Sequence, residues 1–309
     1  MDIPKQQKPL NRLYLQVVFA TVLWGGSFPF TKRLAAELSP LSIVTFRALA
    51  GVLVLVALSG SKLRAADFKP AYLWKLAVMS LLGVSAQQYL QAYSLKYTQA
   101  SHAGWLIAAT PIVVAGLMGA LGERIGVFKA AAFLLGSAGT VLVVFSRGGA
   151  FGLPSTRGDL IFLSTCFTWA FYVLAVRKWL NFWPQAKVTT LTMIVALASL
   201  LPGWLLAGGP AEFASLTPAG WGSLAYLGAL SSGLGYLFWN NAVEGLGAVK
   251  ASYFLYLEPF ATLLAAYFLL GEKLSVFSFA GGLLILAGVY LVNLNESPRK
   301  ALKEVQTHA

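Results

Sequence analysis

The sequence predicts an all-α membrane protein in which ten transmembrane helices form two inverted five-helix repeats. Three observations lead to this fold class. Of the 309 residues, 58% are hydrophobic and only 11% are charged, which leaves less polar surface than a soluble domain of this length needs. Ten apolar runs of similar length follow one another along the chain. A segment with a central proline and a terminal Gly-Glu pair occurs twice.

The ten apolar runs each come close to the roughly 17 to 25 residues that cross the hydrocarbon core of a bilayer as a helix. They contain few or no charged side chains and are joined by short polar connections. The runs cover residues 13–31, 40–59, 76–95, 98–121, 130–146, 160–176, 188–207, 219–241, 251–270 and 275–294. The sequence therefore predicts ten spans, with the lipid bilayer as the surroundings of the protein.

The two proline-containing segments are the clearest sign of an internal repeat. Residues 98–125 carry Pro111 and residues 250–275 carry Pro259, each near the middle of an apolar stretch that ends close to a Gly-Glu pair. Because each half holds five spans, an odd number, the second copy enters the membrane from the opposite side, which gives an inverted repeat. That architecture is typical of secondary transporters.

The domain boundaries follow from the runs and from composition. A connection rich in Gly, Pro and Ser near the middle of the chain indicates a flexible linker on the periplasmic side. The predicted segments are a cytoplasmic tail over 1–12, a first repeat over 13–146, the linker over 147–159, a second repeat over 160–295 and a cytoplasmic tail over 296–309.

The formal net charge of +12 is explained by membrane topology and not by a nucleic-acid partner. Lys and Arg are spread over short connections and do not form one basic face with interleaved aromatic side chains. Most of the 23 Lys and Arg residues lie in connections on the same side as the amino terminus. By the positive-inside rule, both termini are cytoplasmic.

Enzyme chemistry is not predicted. The chain has no HExxH, no GxSxG with triad partners, no Walker A sequence and no paired acidic motif for Mg²⁺. Eleven acidic residues, two histidines and the single Cys166 also give no basis for a disulfide or a cysteine-rich metal site. We expect a protein that is not an enzyme and that needs no metal or cofactor.

Glu258 is the leading candidate for a functional residue. It lies near the middle of the ninth run, where an ionisable group costs at least a few kcal/mol. It is a candidate for taking up and releasing a proton during transport, or for holding the amino group of a substrate. The alternative is a protonated glutamate bonded to a neighbouring helix for packing. An intramembrane ionisable group is a functional candidate by default, so we favour a substrate or coupling role.

Two prolines leave backbone carbonyls free at matching places in the two halves. Pro259 removes the helical donor to the carbonyl of Leu255, and Pro111 removes the donor to that of Ile107. These carbonyls either line a cavity or accompany packing kinks, and their presence in both halves favours the cavity.

The outer half of the first run contains Gly25, Gly26 and Pro29. These residues permit a kink or a close contact between helices. With Pro111 and Pro259, they are the predicted helix breaks or hinges.

Arg47 lies about seven residues inside the second run, roughly 10 Å from its outer end at 1.5 Å per residue. One interpretation pairs it with Glu258 or with a substrate carboxylate. The other is structural: the arginine snorkels outward or ties helices together, and its long stem favours this role.

The third run carries Gln87 and Gln91, which share a helical face at the i, i+4 spacing. Their amides are candidates for contact with a polar substrate or for hydrogen bonds to other helices.

Four aromatic residues within the spans are candidates for the wall of a central cavity: Trp24, Trp105, Trp169 and Tyr172. A lipid-facing position is the alternative for each. His102, near the outer start of the fourth run, is interpreted as an interfacial residue and not as a proton relay.

Short motifs in order along the chain resemble the EamA-type drug/metabolite transporter superfamily. They are W-G-G-S-F-P-F-T-K in the first run, F-R-A-L in the second, T-P with G-E in the fourth, and L-E-P with A-x-x-x-L-L-G-E in the ninth. The resemblance covers about residues 13–295.

The resemblance implies a ten-helix basket with a central cavity that opens alternately to either side of a bacterial inner membrane. Members of the superfamily commonly export amino acids and other small metabolites, and some are similar to aromatic amino-acid exporters. We therefore expect a secondary transporter for amino acids or related small molecules, with a proton as a candidate coupling ion. The alternatives are a passive small-molecule channel and a membrane receptor or scaffold that binds without flux.

Overall fold

The computed structural model describes residues 9–58, 63–110, 113, 116–117, 127–147, 150–151, 156–179, 183–246, 251, 253–273 and 275–294. Within these residues the regular structure is helical apart from one short antiparallel strand pair, β1 (Ser146–Arg147) with β2 (Ala150–Phe151). The prediction of a helical membrane protein is confirmed, whereas the ten spans and the inverted repeat stay predictions.

The first part of the chain holds six described α-helices. They are α1 (Leu10–Leu34), α2 (Pro40–Leu58), α3 (Pro70–Ser80), α4 (Ala86–Ser94), α5 (Ala100–Ile107) and α6 (Val127–Val144). A 3₁₀ turn over Ala65–Phe68 precedes α3. A π-helix over Leu81–Ser85 joins α3 to α4 without a break in the direction of the chain.

The second part holds seven described α-helices. They are α7 (Thr156–Trp179), α8 (Gln185–Leu206), α9 (Gly209–Glu212), α10 (Pro218–Ala225), α11 (Tyr236–Leu246), α12 (Glu258–Leu270) and α13 (Val276–Leu294). A π-helix over Tyr226–Gly235 joins α10 to α11, and a 3₁₀ segment over Tyr253–Leu257 leads into α12.

The helices suit an apolar environment. Among the described residues, α1, α2 and α8 are long and apolar enough to cross a membrane by length and composition. Large apolar side chains also face outward, such as Leu206 and Val276, which are 90% and 79% exposed. Such exposure of large apolar groups is expected where the surroundings are lipid.

The interior is organised around α1. This helix packs against α12, against α11 and against the π-helix over Tyr226–Gly235. On one side, α2 packs against the same π-helix and against α8. On another side, α5 lies against both α12 and α7.

The predicted linker over 147–159 is described in part, and its boundaries stay a proposal. The helix α7 begins at Thr156, four residues earlier than expected, and Arg147 is paired with Ala150 in the strand pair. Asp159 stabilises the first turn of α7, where a negative charge is favourable, and it is buried against Thr98. The rest of the linker, and most of both predicted tails, lie outside the described residues.

The structure shows no break at the predicted hinge in α1. The helix runs through Gly25, Gly26 and Pro29 up to Leu34. The two glycines serve close approach instead: a Cβ on Gly25 would collide with the carbonyl oxygen of Glu258, and one on Gly26 with the hydroxyl of Tyr226. Whether these residues flex during a functional cycle stays a prediction.

A second close crossing joins α6 and α13. A Cβ on Gly139 would lie 2.5 Å from the carbonyl oxygen of Gly281, and a Cβ on Gly281 would lie 2.7 Å from that of Gly139. Small residues at such a crossing let two membrane helices approach backbone to backbone.

We predict that Gly281→Val lowers the melting temperature of the purified protein. The added side chain has no room against Gly139, and overpacking of this kind typically costs about 1–3 kcal/mol. The matched control is Gly203→Val, since a Cβ on Gly203 meets no atom within 4 Å. Equal melting temperatures for the two variants would show that the α6–α13 crossing is not close.

Candidate functional site

The candidate site begins where α12 starts. The chain passes from a 3₁₀ segment to an α-helix at Glu258, and Pro259 lies in the first turn of that helix. Proline is tolerated there because the first amide groups of a helix have no intrahelical partner. The break in regular helix therefore falls at Glu258.

A backbone contact between α1 and α12 fixes the position of Glu258. Pro29 lacks an amide hydrogen, so the carbonyl of Gly25, four residues earlier, has no helical donor. Thr262 Oγ1 lies 2.9 Å from this carbonyl oxygen and 2.9 Å from that of Glu258, and can donate to either. Pro29 in α1 thus leaves the carbonyl of Gly25 free to accept a hydrogen bond from Thr262 of α12.

The carboxyl group of Glu258 has no hydrogen-bond or ion-pair partner among the described residues. The residue is only 9% exposed. The hydroxyl of Tyr236 and the thiol of Cys166 lie within electrostatic reach of the carboxyl group. Burying a carboxyl group without a hydrogen-bond partner lowers the stability of the folded protein. This favours a role for Glu258 in binding a substrate or a proton.

The equivalent proline in the first half, Pro111, lies outside the described residues. The carbonyl that it would leave free, that of Ile107, accepts a 2.6 Å hydrogen bond from Thr110 Oγ1. The thiol of Cys166 donates to the neighbouring carbonyl of Leu106 at 3.4 Å.

Two π-helices border the same interior region. One covers Leu81–Ser85 and the other covers Tyr226–Gly235. Both contribute buried hydroxyl oxygens with no hydrogen-bond partner in the described chain, those of Ser85 and Ser231. Local π-helical turns are frequent at functional sites, because the wider turn redirects side chains and backbone groups.

Arg47 reaches one of these π-helices. It is only 7% exposed, and its Nε donates to Ser232 Oγ at 3.2 Å. No ion pair joins it to Glu258 in the described chain, so the pairing considered from the sequence is absent from this structure. The hydroxyls of Tyr236 and Tyr226 are the groups within electrostatic reach of the guanidinium.

The predicted glutamines lie in the interior, and their contact with a substrate stays a prediction. Gln87 and Gln91 are buried, and neither amide forms a hydrogen bond with another described residue. The amide of their neighbour Gln88 is the one that lies against the hydroxyl of Tyr236, and its Oε1 is buried without a partner. The sequence pattern selected the i, i+4 face and therefore passed over Gln88.

Two of the predicted aromatic residues lie at the site. Trp24 packs its ring 5.0 Å from that of Tyr236, and its Nε1 donates to the carbonyl of Ser231 at 3.1 Å. Tyr172 packs on Gly83 of the first π-helix and is within electrostatic reach of Tyr236. Both side chains therefore border the region between Glu258 and the π-helices.

The other two aromatic candidates lie further from Glu258. Trp169 lies 5.1 Å from Tyr172 and is packed into an apolar cluster with residues of α3. Trp105 is 0% exposed and makes edge contacts with Phe260 and Phe279, so it packs α5 against α12 and α13. Neighbouring helices surround the ring of Trp105 in this structure, and its place in a cavity wall stays a prediction.

At one end of the bundle, which we call the Glu272 end, a side chain that follows α12 caps the start of α5. Gly271 ends α12 with a φ of +64°, a left-handed conformation that glycine adopts readily. The turn directs Glu272 to the start of α5, where its carboxylate accepts from Ala100 N at 2.9 Å and from Ser101 N at 3.0 Å. Lys32 lies 3.5 Å from the same carboxylate. The Gly-Glu motif therefore caps a helix of the other half.

His102 belongs to a buried network at the Glu272 end and is not interfacial as predicted. Its Nδ1 lies 3.2 Å from Asp159 Oδ2, and its Nε2 lies 3.1 Å from Ser278 Oγ. Thr98 Oγ1 donates to the other oxygen of Asp159. Ser278, His102 and Asp159 are aligned as in a hydrolytic triad, but all three are buried, so the network ties α5, α7 and α13 together.

The opposite end, which we call the Asp67 end, carries its own ion pair. Lys187 Nζ lies 2.7 Å from Asp67 Oδ1, and the amide of Arg64 donates to Asp67 Oδ2 at 2.8 Å. Burial acts to raise the pKa of Asp67, but the hydrogen bonds from Lys187 and Arg64 outweigh it and hold this pKa below its usual value. The pair joins α8 to the turn before α3.

A groove of about 570 Å³ lies between α1 and α10, lined by Phe30, Arg33 and Tyr226 with small residues of α10, and it does not reach Glu258 or Arg47. Within the described residues, no group of three His, Cys, Asp or Glu side chains could hold a metal ion.

Apolar helices with buried polar groups at their junctions are consistent with a membrane transport protein, and comparison with known proteins gives the family. The model of the EamA-like transporter family matches residues 11–145 and again residues 156–294. The chain therefore belongs to the EamA-like transporter family, which confirms the resemblance noted in the sequence.

Three relatives illustrate the family. An uncharacterized transporter of Archaeoglobus fulgidus is 30% identical, over 93% of this chain and 99% of its own length. The uncharacterized transporter YyaM of Bacillus subtilis is 27% identical, over 91% and 93%. A probable terminal-alkyne amino-acid exporter of Streptantibioticus cattleyicolor is 27% identical, over 92% and 94%.

A solved crystal structure shares the fold. It superimposes with a TM-score of 0.62 at 19% identity and covers 90% of this chain and 95% of the other. The relatives are named as transporters and not as enzymes, which confirms that this chain is not an enzyme. Family membership also establishes a membrane protein with a small-molecule substrate.

We predict that Glu272→Ala lowers the free energy of unfolding by about 1–3 kcal/mol, because it leaves two amide donors of α5 without an acceptor. Thermal unfolding in detergent measures the change. The control is Lys273→Ala, which alters the exposed neighbouring residue. A Glu272→Ala variant as stable as Lys273→Ala would contradict the cap.

Proposed function

We propose that the protein is a secondary transporter that exports amino acids or related small metabolites across a bacterial inner membrane by alternating access. The observation that carries the proposal is the buried carboxyl group of Glu258 at the α1–α12 crossing, which has no partner among the described residues. The name of the Streptantibioticus cattleyicolor relative, a probable amino-acid exporter, supports the substrate class.

The proposed architecture is ten spans in two inverted repeats, over 13–146 and 160–295, with the linker 147–159 between them. Two separate family matches, over 11–145 and 156–294, support the division into halves. The π-helices over Leu81–Ser85 and Tyr226–Gly235 give further support, because each follows a short α-helix in its own half. An odd number of spans in each half would invert the second copy.

Alternating access requires that each end of the bundle open in turn. The helix cap of Glu272 and the ion pair of Asp67 are polar contacts of the kind that can form and break between states. The predicted topology puts the Asp67 end and both termini in the cytoplasm, and the Glu272 end outside.

Glu258 has two candidate tasks in this cycle. It either carries a proton that is exchanged for substrate, or it holds a positively charged amino group of the substrate directly. Tyr236 and Trp24 would border the bound molecule in both cases, since their rings are 5.0 Å apart beside the Glu258 junction. The transport cycle needs no metal or cofactor.

We predict that proteoliposomes containing the wild-type protein show saturable counterflow for at least one member of a panel of amino acids and purines. Glu258→Gln should reduce this counterflow at least about tenfold or remove its dependence on pH, because the amide cannot ionise. Counterflow of radiolabelled solutes at several pH values measures both effects.

The control is Glu244→Gln on the exposed face of α11, which should behave as the wild type. Flux through Glu258→Gln that equals the wild type at every pH would contradict a functional role for the carboxyl group. Flux that never exceeds equilibration would indicate a channel, and binding without flux would indicate a receptor or scaffold.

A further inference from the structure

We propose that Arg47, together with Ser232, forms the subsite that binds the carboxylate group of the transported molecule. The inference rests on the proposed function and adds the chemical group that the substrate must carry. It assigns to Arg47 a specificity role in place of the structural role that the sequence favoured.

The first step is the burial of Arg47. At 7% exposure its side chain does not extend along α2 to the surface, so it does not snorkel to an interface. Its guanidinium lies among interior helices and meets the side of a π-helix at Ser232. A positive charge in this position needs a partner.

The second step is the shortage of partners. A guanidinium has five N–H donors, and in the described chain only Nε is occupied, by the neutral hydroxyl of Ser232. Glu258 forms no ion pair with Arg47, and the other described carboxylates are exposed or bound elsewhere. Asp159, for example, is bound by His102 and Asp67 by Lys187. An arginine that tied helices together would use more of its donors than this.

The third step is the surface around the guanidinium. The Ser231 hydroxyl, next to Ser232, is buried and unpartnered. The π-helix also approaches α2 closely, since a Cβ on Gly51 would lie 3.2 Å from the Ser232 carbonyl oxygen. The hydroxyl of Ser232 beside the guanidinium fork of Arg47 matches the planar, two-oxygen geometry of a carboxylate.

The fourth step is the position of Glu258. Tyr236 is within electrostatic reach of both Arg47 and Glu258, so the two charged groups flank one tyrosine without pairing with each other. A carboxylate bound at Arg47 would therefore neutralise the buried guanidinium and leave Glu258 free for its own task. A dianionic phosphate would leave a negative charge without a described partner.

Counterflow with matched acids and amides tests the subsite. Proteoliposomes are loaded and assayed with tritiated leucine, phenylalanine, threonine and adenine. For each amino acid that the wild type carries, unlabelled acid and unlabelled carboxamide compete for uptake. We expect the acid to compete about tenfold or more better than the amide, the range for a hydrogen-bonded charged group.

Three variants locate this preference. Arg47→Gln should abolish the preference for the acid and still carry the amide, which also shows that the variant folds. Arg47→Lys, which keeps the charge but loses the fork, should retain only part of the preference. Ser232→Ala should weaken competition by the acid several-fold and leave the amide unchanged. The control Arg33→Gln, on the partly exposed end of α1, should keep the wild-type ratio.

The outcomes separate the two proposals. A wild-type protein that carries none of the four solutes overturns the transporter and the subsite together. Flux of adenine alone, or equal competition by acid and amide, overturns the carboxylate subsite and leaves the transporter standing. An acid preference that survives in Arg47→Lys and Ser232→Ala at the wild-type ratio, with only a lower melting temperature, shows that Arg47 is structural.

Discussion

The interior of this protein depends on the contact between the carbonyl of Gly25 and the hydroxyl of Thr262. Pro29 has no amide hydrogen to donate to that carbonyl, so the carbonyl is free to accept from Thr262. Gly25 has no side chain, so the backbone of α12 can approach the backbone of α1 closely at this point. The same hydroxyl also reaches the carbonyl of Glu258. An acid at the start of α12 is thereby held deep in the bundle.

Several interior helices leave buried polar groups without a partner. Ser85, Gln88 and Ser231 each have a buried oxygen of this kind, and two π-helices supply wider turns. A core selected only for stability would avoid such atoms, because each costs desolvation. Both ends of the bundle, in contrast, are well bonded through Glu272 and Asp67. The polarity of the middle is what a binding region for a small polar molecule requires.

The sequence predicted some of this site from single residues. An acid and a proline within an apolar run are conspicuous, so Glu258 and Pro259 could be identified from composition and position. The helical class and the family followed from the apolar runs and their motifs. Close contact at Gly25 was one of two alternatives, since glycine spacing alone does not separate a crossing from a kink.

The remainder depends on contacts between residues that are far apart in the chain. Arg47 and Ser232 are 185 residues apart, and His102 and Asp159 are 57 apart, so no local pattern signals either pair. The π-helices change the register after Leu81, which brings Gln88 and not Gln87 to Tyr236. For Trp105 the sequence does not separate the alternatives, because a buried aromatic ring gives the same sequence signal in a cavity wall as in a helix interface.

The most direct test of a central site that opens to either side uses one cysteine. Cys166 is the only cysteine, so Cys166→Ser with Gln88→Cys places a single thiol beside Tyr236. Labelling with a membrane-impermeant maleimide is measured in right-side-out and inside-out vesicles, with and without a transported solute. Alternating access predicts labelling from both sides and a change in both rates when solute is added. A thiol that reacts from neither side, or from one side only under all conditions, would contradict the account.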